Sequence, residues 1–148
     1  MEQASRSNFE ITRRIQFCAG HRVLGHENKC AGLHGHNYEA YFVASADQLD
    51  PLGRVIDFGV LKEKLGGWID ENWDHAMVLF EQDQEAIEAI KNLSKQRLYL
   101  LPYNPTAENM AIYLLEKICP RLMEGTGVTI KRVVLQETPN CSAEVRLL

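Results

Sequence analysis

Residues 9–44, FEITRRIQFCAGHRVLGHENKCAGLHGHNYEAYFVA, read as two strands with a long loop between them. Phe9, Ile11, Arg13, Ile15 and Phe17 fall at every second position, the period of a strand with one face toward a core. A second strand runs from Leu33 through Ala44 and is rich in aromatic and small residues, among them Tyr38, Tyr41, Phe42 and Val43. The connection, about 20–33, is too long for a tight turn, and loops of that length in a compact domain are often functional.

Outward from this pair the pattern changes. Residues 1–7 read as a polar tail. Asp50-Pro51-Leu52-Gly53 marks a turn. Asp57 suits the N-cap of a helix with Phe58, Leu61, Leu65, Trp68 and Ile69 as its apolar stripe. A helix is expected from Glu81, with Ile87, Ile90 and Leu93 on one side, then a short strand over Gln96–Leu101. Asn104-Pro105 opens another helix, Pro in its first turn, striped by Met110, Leu114, Ile118 and Leu122; Pro120 is expected to end it near Cys119. Val128–Glu137 and Ala143–Leu147 alternate as a closing hairpin. Hairpins separated by helices give an α+β fold with an antiparallel sheet, here in a single domain over 1–148. Four main strands leave two open edges, which are usually covered or paired with another subunit.

The chain has 148 residues, 16 Lys+Arg against 20 Asp+Glu and a formal charge of −4. A chain of this length buries roughly 70% of its unfolded surface, so it needs neither disulfide nor structural metal to fold. The negative balance argues against nucleic acid, which demands a basic face, though a small anionic substrate needs only local cations. No apolar run approaches the ~18 residues of a membrane span. The first fifteen residues carry Glu2, Arg6, Glu10, Arg13 and Arg14 and lack a leader's apolar stretch. Four cysteines at long, irregular spacing form no C-x-x-C pair. A cytoplasmic protein with reduced thiols is expected.

Chemistry concentrates in the loop and the start of the second strand. Four of the five histidines, His21, His26, His34 and His36, lie within sixteen residues. In a strand His34 and His36 point to the same face, about 7 Å apart at Cα, and Gly35 between them lets a neighbour approach closely. Antiparallel pairing carries His21 opposite them. Three neutral imidazoles around an open fourth position form a catalytic zinc pattern, with His26 as a spare. Cys30 sits in the long loop beside Lys29, and a thiol placed near cations is a reactive one. It is a base, a nucleophile or a fourth zinc ligand; spacing alone does not choose. Cys18 is expected to be small and buried, Cys119 core or half-exposed, and Cys141 has no evident role. In Asp74-His75 the carboxylate can orient the imidazole, if a loop conformation brings the two together; a cap beside a surface histidine is the plainer account. Glu137 shares a side with Val133 and Leu135, and a carboxylate there needs a partner. Either Lys131 or Arg132 pairs with it, or a ligand edge bearing adjacent N–H and NH₂ groups does.

Phe17-Cys18-Ala19-Gly20-His21-Arg22, Cys30-Ala31-Gly32-Leu33-His34-Gly35-His36, Val55-Ile56-Asp57-Phe58, Asp74-His75, Asn104-Pro105-Thr106-Ala107-Glu108-Asn109 and Gln136-Glu137-Thr138 follow one another along the chain. In this order they resemble the 6-pyruvoyltetrahydropterin synthase / 6-carboxytetrahydropterin synthase family, over about residues 9–147. The C-x₃-H-G-H motif with the distant Asp-His pair is the specific part. The resemblance implies a tunnelling fold with helices on one face of the sheet. It implies three subunits joining their sheets into a barrel, and two trimers stacking as a homohexamer. It implies zinc on His21, His34 and His36, and Cys30 as proton acceptor with Asp74 and His75 completing the proton-transfer group. It implies Glu137 as the pterin anchor, helped by Thr106, in sites that lie between subunits.

C-x₃-H-G-H is similar to the queuosine-pathway branch, whereas animal-type pyruvoyl synthases have C-x₅-H-G-H. The reaction implied is 7,8-dihydroneopterin triphosphate and water to 6-carboxy-5,6,7,8-tetrahydropterin, acetaldehyde and triphosphate; the alternative is 6-pyruvoyltetrahydropterin from the same substrate. Lys29, Arg22 and Arg132 are candidate triphosphate contacts. Short family members lack most of Ala76–Tyr103, which reads as an insertion at a pocket rim or subunit contact. Outside this branch, a different zinc hydratase or hydrolase would share the histidines without needing the Asp-His pair, and a non-catalytic pterin-binding or zinc-storage protein is a further reading.

Overall fold

The computed structural model describes residues 7–148; residues 1–6 of the expected polar tail lie outside the described residues. Six strands form one sheet: β1 (Ile11–His21), β2 (His34–Ser45), β3 (Ala76–Phe80), β4 (Arg97–Leu101), β5 (Thr129–Thr138) and β6 (Cys141–Arg146), in the order β4-β3-β1-β2-β5-β6. The β1–β2, β2–β5 and β5–β6 pairs are antiparallel, as the alternating patterns predict. β3 and β4 add a feature the sequence reading did not contain, because they run parallel to β1. β3 reads AMVLF, a short apolar run without alternation. Val78 and Leu79 are both fully buried, as expected of a parallel strand covered on both faces.

Helical run α1 spans 58–72 (Phe58–Leu61, a π turn over Lys62–Gly66, then Gly67–Asn72). The Asp57 side chain caps it by accepting from the Gly59 N–H at 2.9 Å. Leu61, Leu65 and Ile69 are buried, but Phe58, in the first turn, stays 51% exposed. α2 is Gln84–Lys91, capped by Asp83, so it begins later than expected and ends before Leu93, which is exposed. α3 spans 107–122 (Ala107–Tyr113, a π turn Leu114–Ile118, then Cys119–Leu122). Its N-cap is Thr106, so Pro105 precedes the helix rather than opening it. Pro120 does not end it near Cys119 either. A proline lacks the N–H that would reach back four residues, and its ring crowds the carbonyl there. The wider π turn ahead of it absorbs the mismatch, and one further turn follows.

The two long helical runs pack on one face of the sheet. α1 and α3 meet the side of β1, β2 and β5 that carries Ile15, Phe17, Tyr38, Ala40, Phe42, Val133 and Leu135. Phe17 stacks on Tyr38 at 4.9 Å, and Trp73, fully buried, tilts against Phe17. α2 builds a smaller cluster from Ala86, Ile87 and Ile90 around Leu79, the neighbour of Val78 and so on the alternate side of β3. Leu65 is 1% exposed at the centre of the main core. Leu65→Ala is expected to cost about 3 kcal/mol through lost contacts and residual cavity, read as a shift in the urea midpoint with unchanged slope.

Candidate active site

The β1–β2 ladder runs without interruption to its open end, where His21 faces His34 and Ala19 faces His36. Residues 19, 21, 34, 36 and 38 share one side of the sheet, so three imidazoles gather over Tyr38. The register depends on Gly35, since a Cβ there would lie 3.1 Å from the Ala19 carbonyl oxygen. Ring centroids are 4.5 Å apart for His21–His34, 5.1 Å for His21–His36 and 5.0 Å for His34–His36. One potential ligand atom from each lies within 4.8 Å of the others.

Hydrogen bonds set the tautomers. His21 Nδ1 lies 2.7 Å from the Pro105 carbonyl oxygen, and His34 Nδ1 2.7 Å from that of Gly32. A carbonyl only accepts, so each Nδ1 carries the proton and each Nε2 presents a lone pair. Those two Nε2 atoms are 3.0 Å apart. His36 Nε2 is buried and has no hydrogen-bond partner among the described residues. The Glu137 carboxylate adds negative charge, 3.8 Å from His21 Nε2 and 3.7 Å from His36 Nε2. Facing lone pairs, an orphaned nitrogen and a nearby carboxylate are what a cation would satisfy. Burial lowers His21 to about 4, against the Pro105 carbonyl and aided by His34 and His36. Burial also lowers His36, against the pull of Glu137. Both therefore stay neutral, as metal ligands must. The donor set fits a divalent ion such as zinc.

Beside His21 opens a cavity of about 370 Å³, lined also by His26, Cys30, Thr106, Glu108, Glu137 and Cys141. Cys30 reaches it from the short helical turn Lys29–Ala31, which the Val23 N–H ties back through the Cys30 carbonyl at 2.8 Å. Glu137 pairs with neither Lys131 nor Arg132; Arg132 is engaged by Glu10 and Glu144. The Thr106 hydroxyl caps α3 by accepting from the Asn109 N–H at 3.1 Å while its residue forms part of the wall. Cys141, without a role in the sequence, lines the cavity, and so does Glu108.

Asp74 and His75 sit elsewhere in the chain. His75 Nδ1 is 3.0 Å from Asp74 Oδ2, and the turn is held at φ +61° at His75, a left-handed conformation that costs a non-glycine residue about 1 kcal/mol or more. The largely exposed His75 lines a second groove of about 420 Å³, with Cys18, His36, Asn37, Met77 and Gln96. Cys18 is exposed rather than buried, and its thiol donates to Asn37 Oδ1 at 2.9 Å. Cys119 is buried, its thiol pushed up to about 12 by desolvation. Of the three candidate triphosphate cations, Arg22 is tied to the buried Asp83 at 2.5 and 2.7 Å and to Glu85, and Arg132 is engaged as above. Lys29 is exposed, with no ion pair among the described residues.

Sequence reasoning missed the segment that orients the first histidine. The Asn104 carboxamide accepts from the Leu24 N–H at 2.8 Å and donates to the Leu24 carbonyl at 3.0 Å. It clamps the loop after β1 while the carbonyl of the next residue, Pro105, accepts the hydrogen bond from His21 Nδ1. Asn-Pro ahead of a helix was the available signal, but it reads as helix punctuation.

The family model for 6-pyruvoyl tetrahydropterin synthase matches residues 10–147. The chain belongs to this family. A 6-carboxy-5,6,7,8-tetrahydropterin synthase of Rickettsia felis is 47% identical over 136 residues, covering 92% of this chain and 99% of the relative. A protein of the same name from Aquifex aeolicus is 29% identical over 93% of this chain and 98% of its own. Among solved structures, the Plasmodium falciparum 6-pyruvoyl tetrahydropterin synthase superposes with a TM-score of 0.70 at 18% identity, covering 95% of this chain and 98% of that one. At that identity the likeness speaks for the fold. The matched span takes in all six strands and every motif quoted above. No helix among the described residues is long and apolar enough to cross a membrane.

Proposed function

We propose that the chain is a zinc-dependent lyase converting 7,8-dihydroneopterin triphosphate and water to 6-carboxy-5,6,7,8-tetrahydropterin, acetaldehyde and triphosphate, in queuosine (7-deazaguanine) biosynthesis. The observation that carries this reading is the cluster of bared imidazole nitrogens adjoining a cavity that also holds Cys30 and Glu137. Relatives 46–47% identical bear the name of this carboxytetrahydropterin synthase, and the resemblance carried by the C-x₃-H-G-H spacing points to the same branch.

In this reading His21, His34 and His36 hold zinc, with the carbonyls of Pro105 and Gly32 fixing the first two rings. Bound there, the ion would polarise the side-chain hydroxyl oxygens of the substrate. Glu137 accepts two parallel hydrogen bonds from the N–H/NH₂ edge of the pterin, and Thr106 supports that end of the cavity. Cys30 removes a proton from the carbon next to the hydroxyl. Asp74 orients His75, which carries a proton during elimination. His75, held by Asp74, lines a different groove from Cys30, and β4 and β6 are the outer strands of the sheet. Both points support closure of each site between copies: three chains joining their sheets into a barrel, and two trimers forming a homohexamer in the cytoplasm.

The test is product identity. With dihydroneopterin triphosphate, the expected products are acetaldehyde and the mass of the carboxy compound. The mass of 6-pyruvoyltetrahydropterin without acetaldehyde would move the assignment to the alternative within the family, and no turnover of this substrate would sink both.

A further inference from the structure

We propose that Arg97 is a positioning residue for the Asp74-His75 pair, and that holding this pair is what the stretch 76–103 contributes to the reaction. The inference rests on the reading of His75 as the proton carrier.

Arg97 opens β4, directly across from Ala76 in the parallel β3–β4 ladder. Its guanidinium pairs with no carboxylate among the described residues. Nη1 donates to the Asp70 carbonyl at 2.8 Å and to the Asp74 carbonyl at 2.6 Å, and Nη2 donates to the Glu71 carbonyl. The last carbonyls of a helix have no partner within it and form the negative end of its dipole. One planar cation answers both needs at the end of α1 and, with the same fork, grips the residue next to His75. A lysine could not span these three acceptors in one plane.

The gripped turn is one that would relax if released. His75 holds a positive φ without being glycine. On its other side Cys18 of β1 fixes the turn twice: the His75 N–H donates to the Cys18 carbonyl at 2.6 Å, and Asp74 Oδ1 accepts from the Cys18 N–H at 2.9 Å. Gln96, adjacent to Arg97, adds a contact from its Nε2 to the His75 carbonyl at 3.4 Å. The pair is thus suspended between β1 and β4. β1 belongs to the histidine site, whereas Arg97 lines neither the cavity with His21, Cys30 and Glu137 nor the groove with His36 and His75. A residue that sets where the imidazole stands, without touching metal or pterin, should affect the rate of the proton-transfer step and little else.

The experiment compares wild type, Arg97→Ala and Arg97→Lys as assembled, zinc-loaded protein, with dihydroneopterin triphosphate as substrate. Arg97→Ala is expected to lower kcat on the order of tenfold to a hundredfold, with KM and zinc content held to within about twofold. Exchange of the His75 amide proton should quicken by about tenfold or more as the turn loosens. Arg97→Lys should recover part of the loss, as should guanidinium ion added to Arg97→Ala. Wild-type kcat in Arg97→Ala, unchanged His75 exchange, or a fall in kcat that tracks zinc loss would each overturn the proposal. Should Arg97→Ala not fold, Arg97→Lys carries the same test, because a kcat and an exchange rate both equal to wild type would refute the need for the fork. His75→Ala serves as the separate control. If it turns over normally, the proton-carrier reading fails, while the exchange measurement still decides whether Arg97 holds the turn.

Discussion

His34→Ala is expected to lose the bound metal, and turnover with it by about 10³-fold or more, while remaining folded. The imidazole of His34 is half-buried at the open end of the β1–β2 ladder and belongs to neither hydrophobic cluster. Its removal takes no apolar contact from the core and also dissolves the 3.0 Å confrontation with His21 Nε2. The stability change should therefore stay under about 1 kcal/mol, a few degrees of melting temperature. The catalytic loss is large because polarisation by a metal is worth several kcal/mol of barrier, each 1.4 kcal/mol or so being tenfold in rate. Metal analysis beside a thermal melt separates the two effects. A mutant that unfolds outright would show the ion to be structural, and one that keeps stoichiometric metal would remove His34 from the ligand set.

Cys30→Ala should do the opposite to the site's contents and nearly the same to its rate. The turn that carries Cys30 is held through backbone atoms, the Val23 N–H on the Cys30 carbonyl and the Gly32 N–H on that of Lys29, so the substitution leaves the loop in place. Zinc and pterin should bind as in wild type while turnover falls by about 10² to 10⁴, the usual worth of a positioned acid or base. Equilibrium binding of the substrate and a single-turnover measurement check it. Normal turnover would dismiss the thiol as the base, and simultaneous loss of zinc would make it a fourth ligand instead.

The parts of this molecule that were legible in sequence are those where period and burial coincide. Ile15, Phe17, Tyr38 and Phe42 announce the central hairpin, and Leu61, Leu65 and Ile69 the helix over it, because each buries one face only. β3 was not legible: a five-residue run buried on both sides has no alternation, and its partner β4 comes only after an intervening helix. The ends of helices misled for local reasons. Pro105 and Pro120 both read as punctuation, yet a threonine cap and a π turn decide where the backbone begins and ends its helix. At the site, the side chains were recoverable because His-Gly-His on a strand and a cysteine four residues before it are rare arrangements. What holds them was not, because the Pro105 and Gly32 carbonyls and the Asn104 clamp act through backbone atoms that every residue possesses. Arg97 was hidden for a related reason: a cation that binds helix carbonyls leaves no acidic partner in the sequence to betray it.

In the proposed function His21, His34 and His36 grip one catalytic zinc ion beside the Cys30 cavity. The most direct measurement is metal content per chain of the purified protein, followed through chelation and readdition together with turnover of dihydroneopterin triphosphate. One zinc per chain, loss of turnover as it is stripped, and recovery when it is returned are the expected results. Full turnover in protein that holds no stoichiometric metal would contradict it.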